Sequence, residues 1–283
     1  MLYTNKNIKA LRAPLPFLDE KWASFLGCST SQLRDGKNHV VTRPKKASVR
    51  QSPWPLREGP IAVLTLGRGW VMSVPENLTD TTRSLCLNKS FTELLDDGDR
   101  LSQEWFDRGA DHSKERGDCG YATMNRLAQG LRLRGWSHYI ISYCDFGSFP
   151  AESDEHVVKI TRDLADVWKQ WQVWPGPMVG PVVCEHFPIC DAFGCVLDGK
   201  LVSAAQLEAH PDEFAWEAGV DTLPEYRGRG FATQVLKTVT AFIILEGKIP
   251  WHYTDLYNRP SRRLPEHLGY FKYAEGLFSH MKK

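Results

Sequence analysis

Glu217-Ala218-Gly219-Val220-Asp221-Thr222-Leu223-Pro224-Glu225-Tyr226-Arg227-Gly228-Arg229-Gly230-Phe231-Ala232-Thr233 decides how this chain is read. Phe214 to Asp221 has the composition of a strand. Phe231 to Glu246 has the period of a helix, with Phe231, Val235, Val239 and Phe242 on one face and Gly247 as a natural stop. Between them lies a turn that opens directly into the helix. The first N–H groups of a helix have no internal partner and carry the positive end of its dipole, so such a turn is a ready anion site. Gly228 and Gly230 let backbone approach a ligand closely, Arg227 and Arg229 add charge, and Thr233 adds a hydroxyl. A diphosphate is the ligand this pattern suits.

Outward from that stretch, the rhythm from residue 155 onward is regular. Val157 to Ile160 reads as a strand, and a helix follows to Gln172. Cys190–Leu197 and Leu201–Glu208 form a hairpin about Asp198-Gly199. After the central helix come a strand at Ile249–Leu256, a helix at Arg259–Leu268 closed by Gly269, and a last strand at Tyr270–Phe278. The order β-α-β-β-β-α-β-α-β predicts an α+β fold: a mixed, mostly antiparallel sheet flanked by helices. Trp168, Trp171 and Trp174 read as core packing.

Phe146 to Asp154, with its Gly, Pro and Ser, predicts a boundary between an N-terminal α+β domain (1–150) and a C-terminal domain (151–283). In the N-terminal part, Leu18–Leu26, Leu78–Leu87, Phe91–Phe106 and Tyr121–Leu133 read as helices, and His138–Tyr143 as a strand. Ile61–Leu66 and Trp70–Val74 form a hairpin around Gly67-Arg68-Gly69. No helix pattern follows that glycine pair, so it is a turn and not a phosphate loop. The first sixty residues otherwise read as irregular, and Arg43–Arg50 as a solvated basic loop.

Composition excludes several classes. The 283 residues carry 35 basic and 34 acidic side chains, a net charge of +1, which gives no argument for a nucleic-acid partner or an anionic membrane. No apolar run is long enough to span a bilayer, and the first residues lack a secretory pattern, so a cytoplasmic location is expected. Seven cysteines (28, 86, 119, 144, 184, 190, 195) are then expected as free thiols. Cys184, His186, Cys190 and Cys195 do not have finger spacing, so no metal is expected. There is no Gly-x-Ser-x-Gly elbow for covalent catalysis.

Arg227-x-x-Gly230-x-Ala232 resembles the coenzyme signature of the GNAT superfamily of N-acetyltransferases. Val220-Asp221-x-x-Pro224-x-Tyr226 before it, and Asn258-x-x-Ser261 with His267-Leu268-Gly269-Tyr270 after it, stand at the family's distances. The resemblance covers residues 155–283. Trp22-x-x-Phe25-Leu26-Gly27-Cys28 and Ser73-Val74-Pro75 extend a weaker likeness to a two-part bacterial subgroup of GNAT proteins.

The resemblance implies a GNAT fold whose strand bearing Gly219 and Val220 splays from the strand ending near Leu256, with acetyl-CoA as co-substrate in the gap. Gly219, Val220, Arg227, Gly228, Arg229, Gly230, Phe231, Ala232, Thr233, Asn258 and Ser261 would bind the coenzyme, and Val220 N–H would polarise the thioester carbonyl. An amine of a small molecule or peptide would attack directly. Because an amine of pKa about 10 is protonated at neutral pH, a base is needed. Glu217 is the first choice, with Tyr253, Asp255, Asp221 and His252 as rivals. The sequence departs from the family at Pro265, where many members carry the tyrosine that protonates the leaving thiolate; Tyr257, Tyr253 or water would substitute. Two other readings stay open: transfer to a protein lysine or N-terminus, and a non-catalytic acyl-CoA sensor. A homodimer is compatible with the sequence.

Overall fold

The computed structural model describes residues 15–44, 59–96, 121–131, 133–147, 149, 156–176, 179–181, 188–209 and 213–281. In chain order the first elements are helices α1 (Leu15–Leu26) and α2 (Thr30–Arg34), then strands β1 (Asn38–Thr42), β2 (Ala62–Thr65) and β3 (Trp70–Val74). Helices α3 (Thr79–Cys86), α4 (Phe91–Leu95) and α5 (Ala122–Leu127) follow, then strands β4 (Leu133–Cys144) and β5 (Val157–Lys159) and helix α6 (Ala165–Gln172). The remainder is β6 (Ala192–Leu197), β7 (Lys200–Glu208), β8 (Ala215–Thr222), α7 (Phe231–Leu245), β9 (Ile249–Asp255), α8 (Arg259–Arg263) and β10 (Tyr270–Met281).

The chain divides into two compact units. One holds Ser142–His252 and Arg263–Phe271; the other holds Pro14–Ile141, Tyr253–Arg262 and Lys272–Lys283. The division therefore falls before the expected boundary at 150, and two later segments group with the N-terminal part. Residues 148 and 150–154 of the stretch expected to carry the boundary lie outside the described residues.

In the unit centred on Ser142–His252, strands run in the order β9-β8-β7-β6-β5. Pairing is antiparallel from β5 through β8, and β8 and β9 are parallel, as a crossover through α7 requires. The β6–β7 turn has positive φ at both Asp198 and Gly199, the geometry that matches hairpin twist. Val235, Leu236, Val239 and Ile243 of α7 pack on Ala205, Leu207, Trp216 and Ala218. On the other face, Trp171 of α6 packs with Ile160, Leu201 and Ala204. Each apolar side chain so buried contributes about 1.5–3 kcal/mol. The result is the expected α+β arrangement, a mixed sheet with helices on both faces. Gly194 lies where a Cβ would run into Leu201 and meet Ile160 Cδ1 at 3.1 Å, which explains a glycine inside β6.

In the other unit β1, β3, β2 and β10 are neighbours in that order, β2 antiparallel to both β3 and β10 and β1 parallel to β3. Val63, Trp70 and Met72 share a core with Cys86, Leu94, Met124 and Leu127 from α3, α4 and α5. The hairpin at 61–74 forms as expected. Strand β1 was not expected; its alternation is only five residues long. Capping boxes at Ser29/Gln32 and Ser90/Glu93 start α2 and α4. The helix expected over 121–133 ends at Leu127, because Gly130 turns the chain with φ +90°, and β4 begins at Leu133. The expected helix over 259–268 splits into α8 and a 3₁₀ turn at Pro265–Leu268, since proline N carries no proton for a continuous helix. Residues 97–106 of another expected helix, and most of the basic stretch at 43–50, lie outside the described residues.

The expectation of seven free thiols fails at Cys190, which is in a disulfide. An odd count forbids complete pairing but not a single bridge. Cys28, Cys86, Cys144 and Cys195 are not in disulfides, and Cys119 and Cys184 lie outside the described residues. Among the described residues no helix is long and apolar enough to cross a membrane, and no cluster of His, Cys, Asp and Glu is placed to hold a metal.

Candidate active site

Helix α7 starts where the sequence placed its start. Gly230 is its first flanking residue, at φ +87° and ψ −5°, and its carbonyl accepts the N–H of Gln234 at 3.1 Å. No side chain caps this terminus, and its first turn holds no acidic residue. The N–H groups of Phe231, Ala232 and Thr233 therefore face outward without the usual side-chain acceptor. Gly228 has φ +73°, and a Cβ added at either glycine would meet nothing within 4 Å. Both glycines are needed for backbone conformation, and the space above them is open.

The flanking arginines are held by their neighbours. Arg227 Nε donates to the carbonyl of Thr222 at 3.2 Å, tying the turn to the end of β8. The Arg229 guanidinium lies 5.4 Å from the Tyr226 ring centroid and 5.1 Å from that of Phe231. Residues 227–230 are exposed. An exposed, cationic, uncapped helix N-terminus with open space over two glycines fits a diphosphate.

Beneath this turn, β8 forks from β9. Among the described residues their ladder consists of Ala215↔Ile249 and Trp216↔Pro250, although β8 continues to Thr222 and β9 through His252. Gly219 and Val220 lie in the unladdered part of β8. Just past the fork, Glu217 Oε1 stands 3.8 Å from His252 Nδ1.

Register fixes which side chains share a face, because directly opposed residues of an antiparallel pair point the same way. Ala204, Gln206 and Glu208 of β7 oppose Asp221, Gly219 and Glu217 of β8. This row lies on the α6 side, since Ala204 packs with Trp171, whereas Ala205 and Leu207 pack under α7. Gln206 is fully buried; its Oε1 accepts the N–H of Gly180 at 2.8 Å, and its Nε2 has no partner. Glu208 Oε1 is likewise buried and unpartnered, as is Trp174 Nε1. Burial, and then the negative charge of Asp221, push the Glu208 carboxyl up to about 7. Gly176 backs onto the same place: a Cβ there would run into the Asp221 carboxylate and into Trp174 Nε1 at 2.7 Å.

Sequence reasoning missed Glu208, Gln206 and Trp174. The hairpin turn fixes β6 against β7, but six residues separate β7 from β8, so nothing in the sequence sets Glu208 opposite Glu217.

The remaining expected site residues fall in the other compact unit. Tyr253 makes an edge contact with Tyr139 at 5.4 Å. The carbonyl of Asp255 accepts the N–H of Asn258 at 3.0 Å, and Asn258 Oδ1 accepts the N–H of Ser261 at 3.2 Å. Asn258 and Ser261 are thus brought together at the start of α8. Tyr257 and Tyr121 hydroxyls lie 3.0 Å apart.

Residues 198–279 match the model of the FR47-like protein family, a stretch that contains both the fork and the turn. A search of curated proteins gave no match. Among solved structures, the chain is similar to a protein of Novosphingobium aromaticivorans described as a GNAT-family acetyltransferase. Identity is 23% over 54% of this chain and 69% of that one, with a TM-score of 0.42. It is also similar to a GCN5-related N-acetyltransferase from Kribbella flavida (17% identity, 80% of this chain, 88% of that one, TM-score 0.42). A Drosophila protein aligns over 99% of this chain and 97% of its own length at 13% identity, with a TM-score of 0.42.

Proposed function

We propose that this chain is an acyl-CoA-dependent N-acyltransferase that moves an acetyl group from acetyl-CoA to a primary amine of a small molecule or peptide. The observation that carries the reading is the open Arg227–Gly230 turn at the uncapped start of α7, beside a β8 that leaves β9 after Trp216. The match of residues 198–279 to the FR47-like family supports it. In this reading the N–H groups of Phe231, Ala232 and Thr233, with Arg227 and Arg229, bind the diphosphate. Gly219 and Val220 offer backbone to the pantetheine arm, and Val220 N–H polarises the thioester carbonyl. A carboxylate on the β7–β8 face takes a proton from the ammonium, and the amine nitrogen attacks the thioester carbon. The C–S bond breaks as the amide forms, and the thiolate takes the second proton released from nitrogen. No metal or covalent enzyme intermediate takes part in this scheme.

Thermal unfolding with acetyl-CoA, CoA and longer acyl-CoAs tests this. A coenzyme at a hundred times its dissociation constant adds about 2.7 kcal/mol to stability, a rise of several degrees. Absence of any rise with every CoA ester overturns the reading. Pro265, buried in its 3₁₀ turn, cannot donate a proton to the thiolate, and this favours one alternative, a coenzyme-binding sensor. That alternative predicts the same thermal shift with no thiol release in the presence of any amine.

A further inference from the structure

The α6 side of β7 and β8 holds more buried N–H donors than acceptors to receive them. Gln206 is fully buried on β7, opposite Gly219, and its Nε2 has no partner among the described residues. Its amide cannot be turned end for end, because the N–H of Gly180 donates to Oε1 at 2.8 Å. Trp171 Nε1, from the ring that packs on Ala204, and Trp174 Nε1 are likewise buried without an acceptor. Against these donors stands a single buried acceptor without a donor on this face, Glu208 Oε1. Gly180 brings Gln206 and Trp174 together: its N–H binds Gln206, and a Cβ on it would meet Trp174 Cβ at 4.0 Å. Trp174 Nε1 in turn lies beside the Asp221 carboxylate, since a Cβ on Gly176 would run into both. Asp221 and Gly219 follow one another in the β8 row that faces Ala204 and Gln206.

A buried N–H with no acceptor is costly and calls for an occupant. Water is the plain one, but it donates as well as it accepts. An excess of donors favours an occupant that mainly accepts, and a carbonyl oxygen has two lone pairs for two N–H groups. An alkylamine brings no oxygen. A carboxylate brings two, but Glu208, Glu217 and Asp221 stand in the same rows and repel it. An amide carbonyl is uncharged, and its own N–H suits Glu208 Oε1. Gly219, with no side chain opposite Gln206, directly precedes Val220, so an amine one carbon from that carbonyl is held close to the backbone assigned to the thioester. We propose that Gln206 Nε2 and Trp174 Nε1 hold a carbonyl oxygen of the amine substrate, which is therefore an α-amino amide, the N-terminal residue of a peptide, in preference to a free amino acid or an alkylamine. This rests on the acyltransferase reading and names the class of amine it takes.

The test uses the full chain with acetyl-CoA and three amines, glycinamide, glycine and ethylamine, following thiol release and expressing rates per unprotonated amine. Expected is a kcat/KM for glycinamide about tenfold or more above that for either of the others. Gln206→Leu removes one donor at similar volume, and Trp174→Phe removes the other while keeping an aromatic ring. Each should cut the glycinamide-to-ethylamine ratio by about fivefold or more, with the thermal shift by acetyl-CoA retained. The ratio is the readout because a variant that only loosens the fold slows all three amines alike. Equal rates for glycinamide and ethylamine, or a preference for glycine, overturn the proposal. So does a ratio that is unchanged in both variants, which would mean that the buried donors hold water alone. If acetyl-CoA stabilises the protein and none of the three amines is acetylated, the inference fails while the coenzyme-binding reading stands. If no CoA ester stabilises it, the underlying reading fails and the inference falls with it.

Discussion

Replacing Glu208 by Gln makes the protein more stable above neutral pH, and the size of the gain follows from where the carboxyl sits. The ordinary glutamate value of 4.5 is raised to about 7 in the folded chain, first by burial and then by Asp221. A carboxyl whose folded value exceeds its unfolded value is held more readily as the neutral acid in the native state. Its full contribution to stability is therefore present below about pH 4.5 and is lost as pH rises through about 7. A rise from 4.5 to about 7, at about 1.4 kcal/mol per unit, sets an upper figure of about 3–4 kcal/mol. Because the side chain is only partly buried and water reaches it, about 1–3 kcal/mol is expected. Glutamine has nearly the same shape and no charge to desolvate. The difference between variant and wild type should be near zero at pH 4.5, grow through pH 6, and level off by pH 8. Urea unfolding at these three values measures it, with an accompanying rise in Tm of about 2–4 °C per kcal/mol. A difference that does not change with pH would refute the reasoning, since it would mean that the carboxyl is no harder to ionise in the folded chain than in the unfolded one.

Other consequences are as direct. Gly230→Asp places a carboxylate and a Cβ over the open turn; it should abolish stabilisation by acetyl-CoA while costing the apo protein only about 1–2 kcal/mol for a side chain at positive φ, as seen by calorimetry with and without coenzyme. Gly194→Ala drives a methyl group into Leu201 and Ile160 and should destabilise by about 1–3 kcal/mol in denaturant unfolding, leaving coenzyme affinity intact. Cys144 is fully buried, its Sγ donates to the carbonyl of Leu268 at 3.6 Å, and burial pushes its thiol well up. It should resist iodoacetamide in the native state and react on unfolding, as peptide mass analysis would record.

Much of the fold was legible because local signals agreed with the tertiary outcome. The 3.6-residue period of α7, the glycines at 228, 230 and 247, and the Asp-Gly hairpin turn fixed their elements to within a residue or two. The uncapped Arg227–Gly230 turn at the start of α7 was legible for the same reason: it is a contiguous stretch whose shape lies in backbone conformation. Strand β1 was hidden because five residues of modest alternation cannot announce a strand that takes its partner, β3, from about thirty residues away. The acidic face was hidden because register between β7 and β8 is set by packing of Ala205, Leu207, Trp216 and Ala218 under α7, and not by a turn. The disulfide at Cys190 was missed because spacing alone does not reveal which cysteines meet.

The interleaving of the chain between its compact units bears on how the protein can be made and taken apart. The unit that begins at Pro14 also claims Tyr253–Arg262 and Lys272–Lys283, and β2 finds its antiparallel neighbour in β10 only when residues 275–278 exist. During synthesis, the first hundred and forty residues must therefore wait, with one edge of β2 unsatisfied, until nearly three hundred residues have been joined. A fragment cut at residue 150 carries neither unit whole, and expression of the two halves separately should yield aggregation-prone chains until they are mixed.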